Sequence, residues 1–230
     1  MAFTKKSHTC NICSLKEFCH DIELNSQELL QFEKITSRKI VVEKGGFLFE
    51  PGDSVAAIYV VQSGSVKLVN GKAKIIDFYF SGDFIGLDAF DSSLHKTNAI
   101  AIEQTIFCIY DYTAIMKLIN KIPRFSQFFL KILSKQLAQH FSSFNRHMDA
   151  TQRICSFFKN ISDRNQARGF SATHFTLSMK RHDIANFLDL ANETLSRTLQ
   201  TLTHENVIRV ENKQVHILDM DTLENKCSEA

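Results

Sequence analysis

KRHDIANFLDLANETLSRTLQTL, residues 180–202, holds two helical patterns with a short break between them. In the first, Ile184, Ala185 and Leu188 fall on one side of a helix. In the second, Leu195 and Leu199 do the same. VIRVENKQVHIL, residues 207–218, follows and reads as a β-hairpin turning at Asn212. Two helices joined by a tight turn and followed by a hairpin describe a winged helix-turn-helix. If the apolar set faces inward, Asn192, Glu193, Ser196 and Arg197 share the outward face near the start of the second helix. These side chains suit base edges in a major groove: Arg forks onto guanine O6 and N7, Glu accepts from the cytosine N4 amine, and Ser donates or accepts. The alternative is an ordinary solvated face with a Glu193–Arg197 pair four residues apart.

Outward from this segment the texture changes twice. Just upstream, TQRICSFFKNISDRN is an amphipathic helix with Cys155 on its apolar side, and THFTLSM is a strand or connector after Gly169. From Pro123 to about Met148 there is no Gly, no further Pro and no acid. Leu130, Leu133, Leu137, Phe141, Phe144 and Met148 recur there at spacings of three and four. That is one apolar stripe on a long helix, and the sharper reading is a helix–helix dimer seam carried by Leu133, Leu137, Phe141, Phe144 and Met148. Further upstream, seven of the eight glycines lie between Gly45 and Gly86. They separate short β-rich runs such as AIYVVQSG, SVKLV and KIIDFYF, and NAIAIEQTIFCIYDY continues the pattern to Tyr112. Regular short strands between turns predict a sandwich or β-roll.

Charge follows the same division. Residues 121–214 hold 14 Lys+Arg against 7 acids, whereas residues 1–120 hold 12 against 14. The positive excess coincides with the helix-turn-helix, as a phosphate-binding surface needs. There is no apolar run long enough for a membrane span. The opening MAFTKKSHTC carries no apolar stretch behind its lysines, so a signal peptide is not expected and a reducing cytoplasm is. Six cysteines in that compartment serve as metal ligands or buried thiols more readily than as disulfides. Three of them stand in CNICSLKEFC, residues 10–19, as Cys-x2-Cys-x5-Cys, with Cys108 far downstream on a predicted strand. Thiolates suit iron–sulfur clusters and zinc alike, although a zinc pair usually has a second close pair as partner. Cys227 lies in a polar tail with no evident role. No P-loop, no Ser or Cys nucleophile beside a placed His, and no His-rich triad supports catalysis, so the chain is not expected to be an enzyme.

The order of parts resembles the Crp/Fnr superfamily of bacterial transcription regulators. FEPGD, QSGSVKL, FSGDFIG and DIANFLDLANETLSRTL carry the likeness, and Glu193, Ser196 and Arg197 match the Fnr branch. The resemblance implies an α+β fold: a cysteine-rich cluster-binding leader at 1–22, a cyclic-nucleotide-binding-like β-roll or jelly roll at 23–120, a dimerisation helix at 121–149 and a winged helix-turn-helix at 150–230. It implies a [4Fe-4S] cluster on Cys10, Cys13, Cys19 and Cys108, and oxygen-responsive binding of a homodimer to double-stranded DNA. The site would be a TTGAT-N4-ATCAA-like inverted repeat, with RNA polymerase as a further partner and both activation and repression open. Asp189 stands where the family usually has Gly in the turn, and Ala191 where Thr or Ser is common. Asp88 replaces the Glu, and Lys96-Thr97 stand near the Arg-Ser, of cyclic AMP-binding members, so no cyclic nucleotide is expected. A zinc-stabilised or haem-binding regulator of the same fold, or a metal-bound interaction module without DNA binding, remains the alternative. His140 and His147 read as polar seam positions or solvated.

Overall fold

The fold is that of a computed structural model, which describes residues 28, 31, 35–89, 92–143 and 148–228. Cys10, Cys13, Cys19, Phe144 and His147 lie outside the described residues. The chain forms two compact units, 1–138 and 139–230.

Among the described residues of the first unit, eight strands build two four-stranded antiparallel sheets. The strands are β1 (Thr36–Val42), β2 (Phe47–Phe49), β3 (Ala57–Ser63), β4 (Ser65–Val69), β5 (Ile75–Phe80), β6 (Phe84–Ile85), β7 (Asn98–Ala101) and β8 (Thr105–Asp111). One sheet has the order β1-β8-β3-β6 and the other β2-β7-β4-β5. Side chains of opposite parity leave a strand on opposite faces. Phe107 and Val61 therefore join Phe49, Val66, Leu68, Tyr79 and Ala99 in one core between the sheets. Cys108, Tyr110, Ile58 and Val60 point to the other face of the first sheet.

That second face is covered by helices. Asp111 ends β8 and caps α1 (Tyr112–Lys121), accepting from the Ala114 amide at 2.8 Å. The expectation of a strand through Tyr112 is corrected here: the carboxylate cap starts a helix where β-branched Thr and Ile residues nearby suggest continued strand. Ile122 is extended, as the residue before a proline should be, and Pro123 opens α2 (Pro123–Ser143). Phe125, Phe128, Phe129 and Ile132 of α2 are buried with Ile115 and Leu118 of α1 against the sheet face. Gln136 fixes the next turn by donating to the Phe84 carbonyl at 2.8 Å. The predicted helix to Met148 is also corrected. Met148 is not helical, because Asp149 adopts an extended backbone and forms a capping box with Gln152 that begins α3 (Ala150–Gln166).

The second unit continues with β9 (His174–Thr176), α4 (Arg181–Leu188), α5 (Asn192–His204), β10 (Ile208–Glu211), β11 (Gln214–Ile217) and α6 (Met220–Ser228). Its sheet has the order β10-β11-β9, with Asn212 at φ 57° in the hairpin turn. The polar tail gives no sign of helix α6 in its apolar spacing. Asp219 caps its first turn through the Thr222 amide and hydroxyl, and Leu223 is fully buried. No described helix is long and apolar enough to cross a membrane.

The turn between β3 and β4 rests on Gly64. Its φ is +94°, and a Cβ there would meet Thr105 Oγ1 at 2.6 Å and the Gln104 carbonyl oxygen at 2.8 Å. Gly64→Ala should therefore lower stability by about 1–3 kcal/mol, read as a fall in denaturant midpoint. At Gly71 an added Cβ would meet nothing within 4 Å, so Gly71→Ala should be tolerated without loss. Equal midpoints for the two variants would contradict this account.

Candidate functional site

The helix-turn-helix places its side chains as the apolar spacing requires. Ile184, Ala185, Leu188, Leu195 and Leu199 are all buried. Between the helices Asp189 takes φ 58° and ψ 46°, the left-handed conformation, where Asp is tolerated better than most residues. The Leu190 amide bonds back to the Ala185 carbonyl at 2.9 Å and closes the end of α4. Arg153 of α3 adds a support that apolar spacing does not reveal. Its Nη1 donates to the Leu188 carbonyl at 3.2 Å and its Nε to the Met148 carbonyl at 3.0 Å. A guanidinium at the carboxyl end of α4 also faces the negative end of that helix's dipole.

Ala191 stands at the amino end of α5 with φ −67° and ψ 146°, and no side chain caps the helix. Asn192 and Glu193 are exposed, Ser196 is half-buried and Arg197 is exposed. Arg197 Nη2 and Glu193 Oε1 form an ion pair at 2.5 Å, with both side chains about three-quarters exposed. The pairing is the one a solvated face would make, and at this exposure its energy is small. It also holds the guanidinium over the first turns of α5, away from the buried face. The four predicted readout residues therefore share one open face at the amino-terminal half of α5.

Cys108 sits on the middle of β8, opposite Lys39 of β1 and Val60 of β3. It is buried, and its Sγ lies 4.0 Å from Gln62 Oε1. Around it are apolar side chains of α1 and the first turns of α2, with Ile35 packed against the same group. Thr36, the residue after Ile35, pairs with Tyr110, two residues from Cys108. Among the described residues no three His, Cys, Asp or Glu side chains gather as a metal site.

The seam candidates divide. Leu133 and Leu137 are exposed, with Leu130 beside them, on a face of α2 separate from the buried phenylalanines. The side chain of Phe141 and all of Phe144 lie outside the described residues, and Met148 is half-buried on the connector before α3. The remaining cysteines are placed as well. Cys155 is fully buried in α3, where burial first and Cys227 second push its thiol up to about 12. Cys227 is not in a loose tail but half-buried on α6, donating to the Leu223 carbonyl at 3.2 Å.

The stretch that differs from cyclic AMP-binding sequences is closed on itself. The Asp88 carboxylate accepts from the Thr97 hydroxyl at 3.1 Å and lies 3.5 Å from His95 Nδ1. Burial raises the Asp88 carboxyl, but the nearby His95 ring and the bond from Thr97 outweigh it and hold it below the ordinary carboxylate range. His95 is itself buried and stacks on Phe49 with ring centroids 3.6 Å apart.

Comparison with known proteins finds two family matches. Residues 152–226 match the Crp-like helix-turn-helix domain, and residues 39–121 match the cyclic nucleotide-binding domain. An anaerobic regulatory protein of Haemophilus influenzae is 36% identical over 220 residues, covering 93% of this chain and 86% of the relative. The transcriptional activator protein Anr of Pseudomonas protegens is 33% identical, covering 91% and 88%. The fumarate and nitrate reduction regulatory protein of Vibrio cholerae is 32% identical, covering 91% and 86%. Among solved structures, FixK2 from Bradyrhizobium japonicum has the same fold with a TM-score of 0.74 at 20% identity, covering 84% of this chain and 98% of that one.

The uncapped start of α5 gives a direct test of the local reading. The Ala191 backbone already has the extended geometry a capping residue needs. Ala191→Ser should supply a hydroxyl acceptor to a first-turn amide and raise stability by about 1 kcal/mol. The check is a higher denaturant midpoint at unchanged slope. An unaltered midpoint would mean that the first-turn amides are already satisfied in another way.

Proposed function

The chain belongs to the Crp/Fnr family of transcription regulators, in its Fnr-type branch, and from that premise we propose that it is a dimeric regulator sensing oxygen through a [4Fe-4S] cluster on Cys10, Cys13, Cys19 and Cys108. Its relatives are transcription regulators and not enzymes, and several are named anaerobic regulatory proteins. The proposed target is a TTGAT-N4-ATCAA-like inverted repeat, read in the cytoplasm by two copies of α5 and passed on to RNA polymerase. The observation that carries this reading is the place of Cys108, buried in the same apolar group as the root of α2.

The donor set fits the group. Thiolates are the usual ligands of iron–sulfur clusters. Cys108 offers one from a strand held on both sides, and the other three would come from Cys10, Cys13 and Cys19. When bound, the cluster supplies a link among four thiolates that oxygen can break. The rest follows from the protein's own residues. A ligand on Cys108 would act on the sheet face that Cys108 shares with α1 and α2. Phe125, Phe128, Phe129 and Ile132 pack on that face, so α2 is set by whatever orders it. Leu133 and Leu137 lie on the next face of the same helix and are the proposed seam with a second copy. Dimerisation then places two recognition helices one helical turn of DNA apart, a geometric condition for tight binding to a palindrome.

Protein purified without oxygen tests the reading through its visible absorbance and its iron and sulfide content. Four iron and four sulfide per chain are expected, by analogy with the cluster type, at about full loading. A colourless protein holding one zinc ion would overturn it. Cys108→Ser should abolish cluster retention and oxygen-responsive DNA binding, whereas Cys155→Ala, a change in the core of α3, should keep both. Loss of the cluster in Cys155→Ala with retention in Cys108→Ser would assign the fourth ligand elsewhere.

Arg197 tests the interface. Lysine keeps the charge but not the planar fork that matches guanine O6 and N7. Arg197→Lys should cost about 1–3 kcal/mol of discrimination for the G·C pair of TTGAT. Binding to unrelated DNA should change little, because that term follows charge. Titration on the repeat and on a repeat with G·C changed to A·T measures both. Equal losses on the two DNAs would assign Arg197 to a phosphate.

A further inference from the structure

His174 and His216 are 42 residues apart in sequence and directly opposite on neighbouring strands β9 and β11. His216 Nδ1 lies 2.5 Å from His174 Nε2, with ring centroids 4.0 Å apart and planes at 78°. The row they occupy is the solvent side of the sheet, since Val215 and Ile217 on the other side are buried. We propose that this pair is a binding site for one late first-row divalent cation, such as zinc, on the wing sheet of the DNA-binding unit.

Three features support it. First, both facing atoms are imidazole nitrogens, the ligand type that suits zinc, nickel and copper. Second, the geometry is within reach. Two Zn–N bonds of about 2.0–2.1 Å at a tetrahedral angle set the nitrogens about 3.3 Å apart, so the rings need to separate by less than about 1 Å. Third, the ring of His174 has a partner behind it. Thr173 Oγ1 lies 3.5 Å from His174 Nδ1, on the far side from His216. A proton on that Nδ1 can donate to the hydroxyl and leaves the Nε2 lone pair aimed at His216, the arrangement that orients metal-ligating histidines.

The proton inventory balances. In the neutral pair one proton lies between the rings, with His216 Nδ1–H donating to His174 Nε2. Cation binding moves that proton to His216 Nε2, so two lone pairs face the ion and no net charge leaves the protein. Water completes the coordination, because no third His, Cys, Asp or Glu joins the pair among the described residues. Arg209 opposes binding, since it stands opposite His216 on β10. Its Nε is turned to Glu211 Oε1 at 4.0 Å, which offsets part of that charge. A site of this kind is exchangeable, and its effect is to tie the edge strand β9 to β11.

The test uses the full chain with Cys10, Cys13 and Cys19 replaced by Ser, so that the leader does not compete for the metal. Zinc chloride is titrated while the histidine ring nitrogens are followed by nitrogen-15 NMR. His174 Nε2 and His216 Nδ1 should shift together and saturate at one ion per chain. His174→Ala and His216→Ala should each weaken binding by about tenfold or more. Rings that stay unmoved up to millimolar zinc would overturn the proposal, as would a shift of one ring that survives removal of the other. Thermal unfolding provides a second measurement: zinc should raise the midpoint of the parent protein and leave that of His174→Ala unchanged.

Discussion

The face of the β1-β8-β3-β6 sheet that turns away from the roll is the constraint on which the first unit depends. Its apolar side chains have to be covered, and α1 with the first turns of α2 cover them. Burying a phenylalanine contributes about 1.5–3 kcal/mol, and three of them, Phe125, Phe128 and Phe129, come from α2 alone. The helix root is therefore not free to pivot independently of the sheet. Cys108 lies within that contact, so a ligand to its sulfur acts where the helix is held. In the proposed mechanism, sensing and association meet in one packed group without a long relay between them.

The same helix has to satisfy two surfaces, and its sequence shows both. Residues 125, 128, 129 and 132 face the sheet, while Leu130, Leu133 and Leu137 form a second row left exposed. The apolar spacing of three and four revealed the second row. It did not separate the first, because phenylalanines filling the remaining positions blur a single stripe. Helix α1 is hidden in the sequence for a related reason. Its cap, Asp111, ends a run whose Ile, Thr and Tyr residues fit a strand equally well, and only the bond to the Ala114 amide decides the matter. The polar tail concealed α6, whose one fully buried anchor is Leu223.

The DNA-binding unit was the most legible part, and for a physical reason. In a short helix-turn-helix nearly every apolar residue has one allowed direction, so Ile184, Ala185, Leu188, Leu195 and Leu199 could be placed by spacing alone. Even the departures were readable, because backbone conformation and side-chain type are tied: Asp189 does take the left-handed turn and Ala191 does leave α5 uncapped. What spacing could not supply was partnership across long separations. Arg153 reaches the end of α4 from 35 residues upstream, and His174 meets His216 only through strand register.

These long-range supports explain how the unit tolerates two unfavourable residues in its central turn. A left-handed Asp in place of Gly and a missing cap each weaken the junction between α4 and α5, the cap by about 1 kcal/mol. Arg153 works against that loss from outside the turn, by binding the last carbonyl of α4 and the connector before α3 with one guanidinium. Bonds from a charged donor are stronger than neutral ones, about 1.5–3 kcal/mol against about 1. The turn is therefore held by a neighbour as much as by its own residues. Its angle, and with it the direction in which Arg197 and Glu193 are presented, depends on how α3 is set.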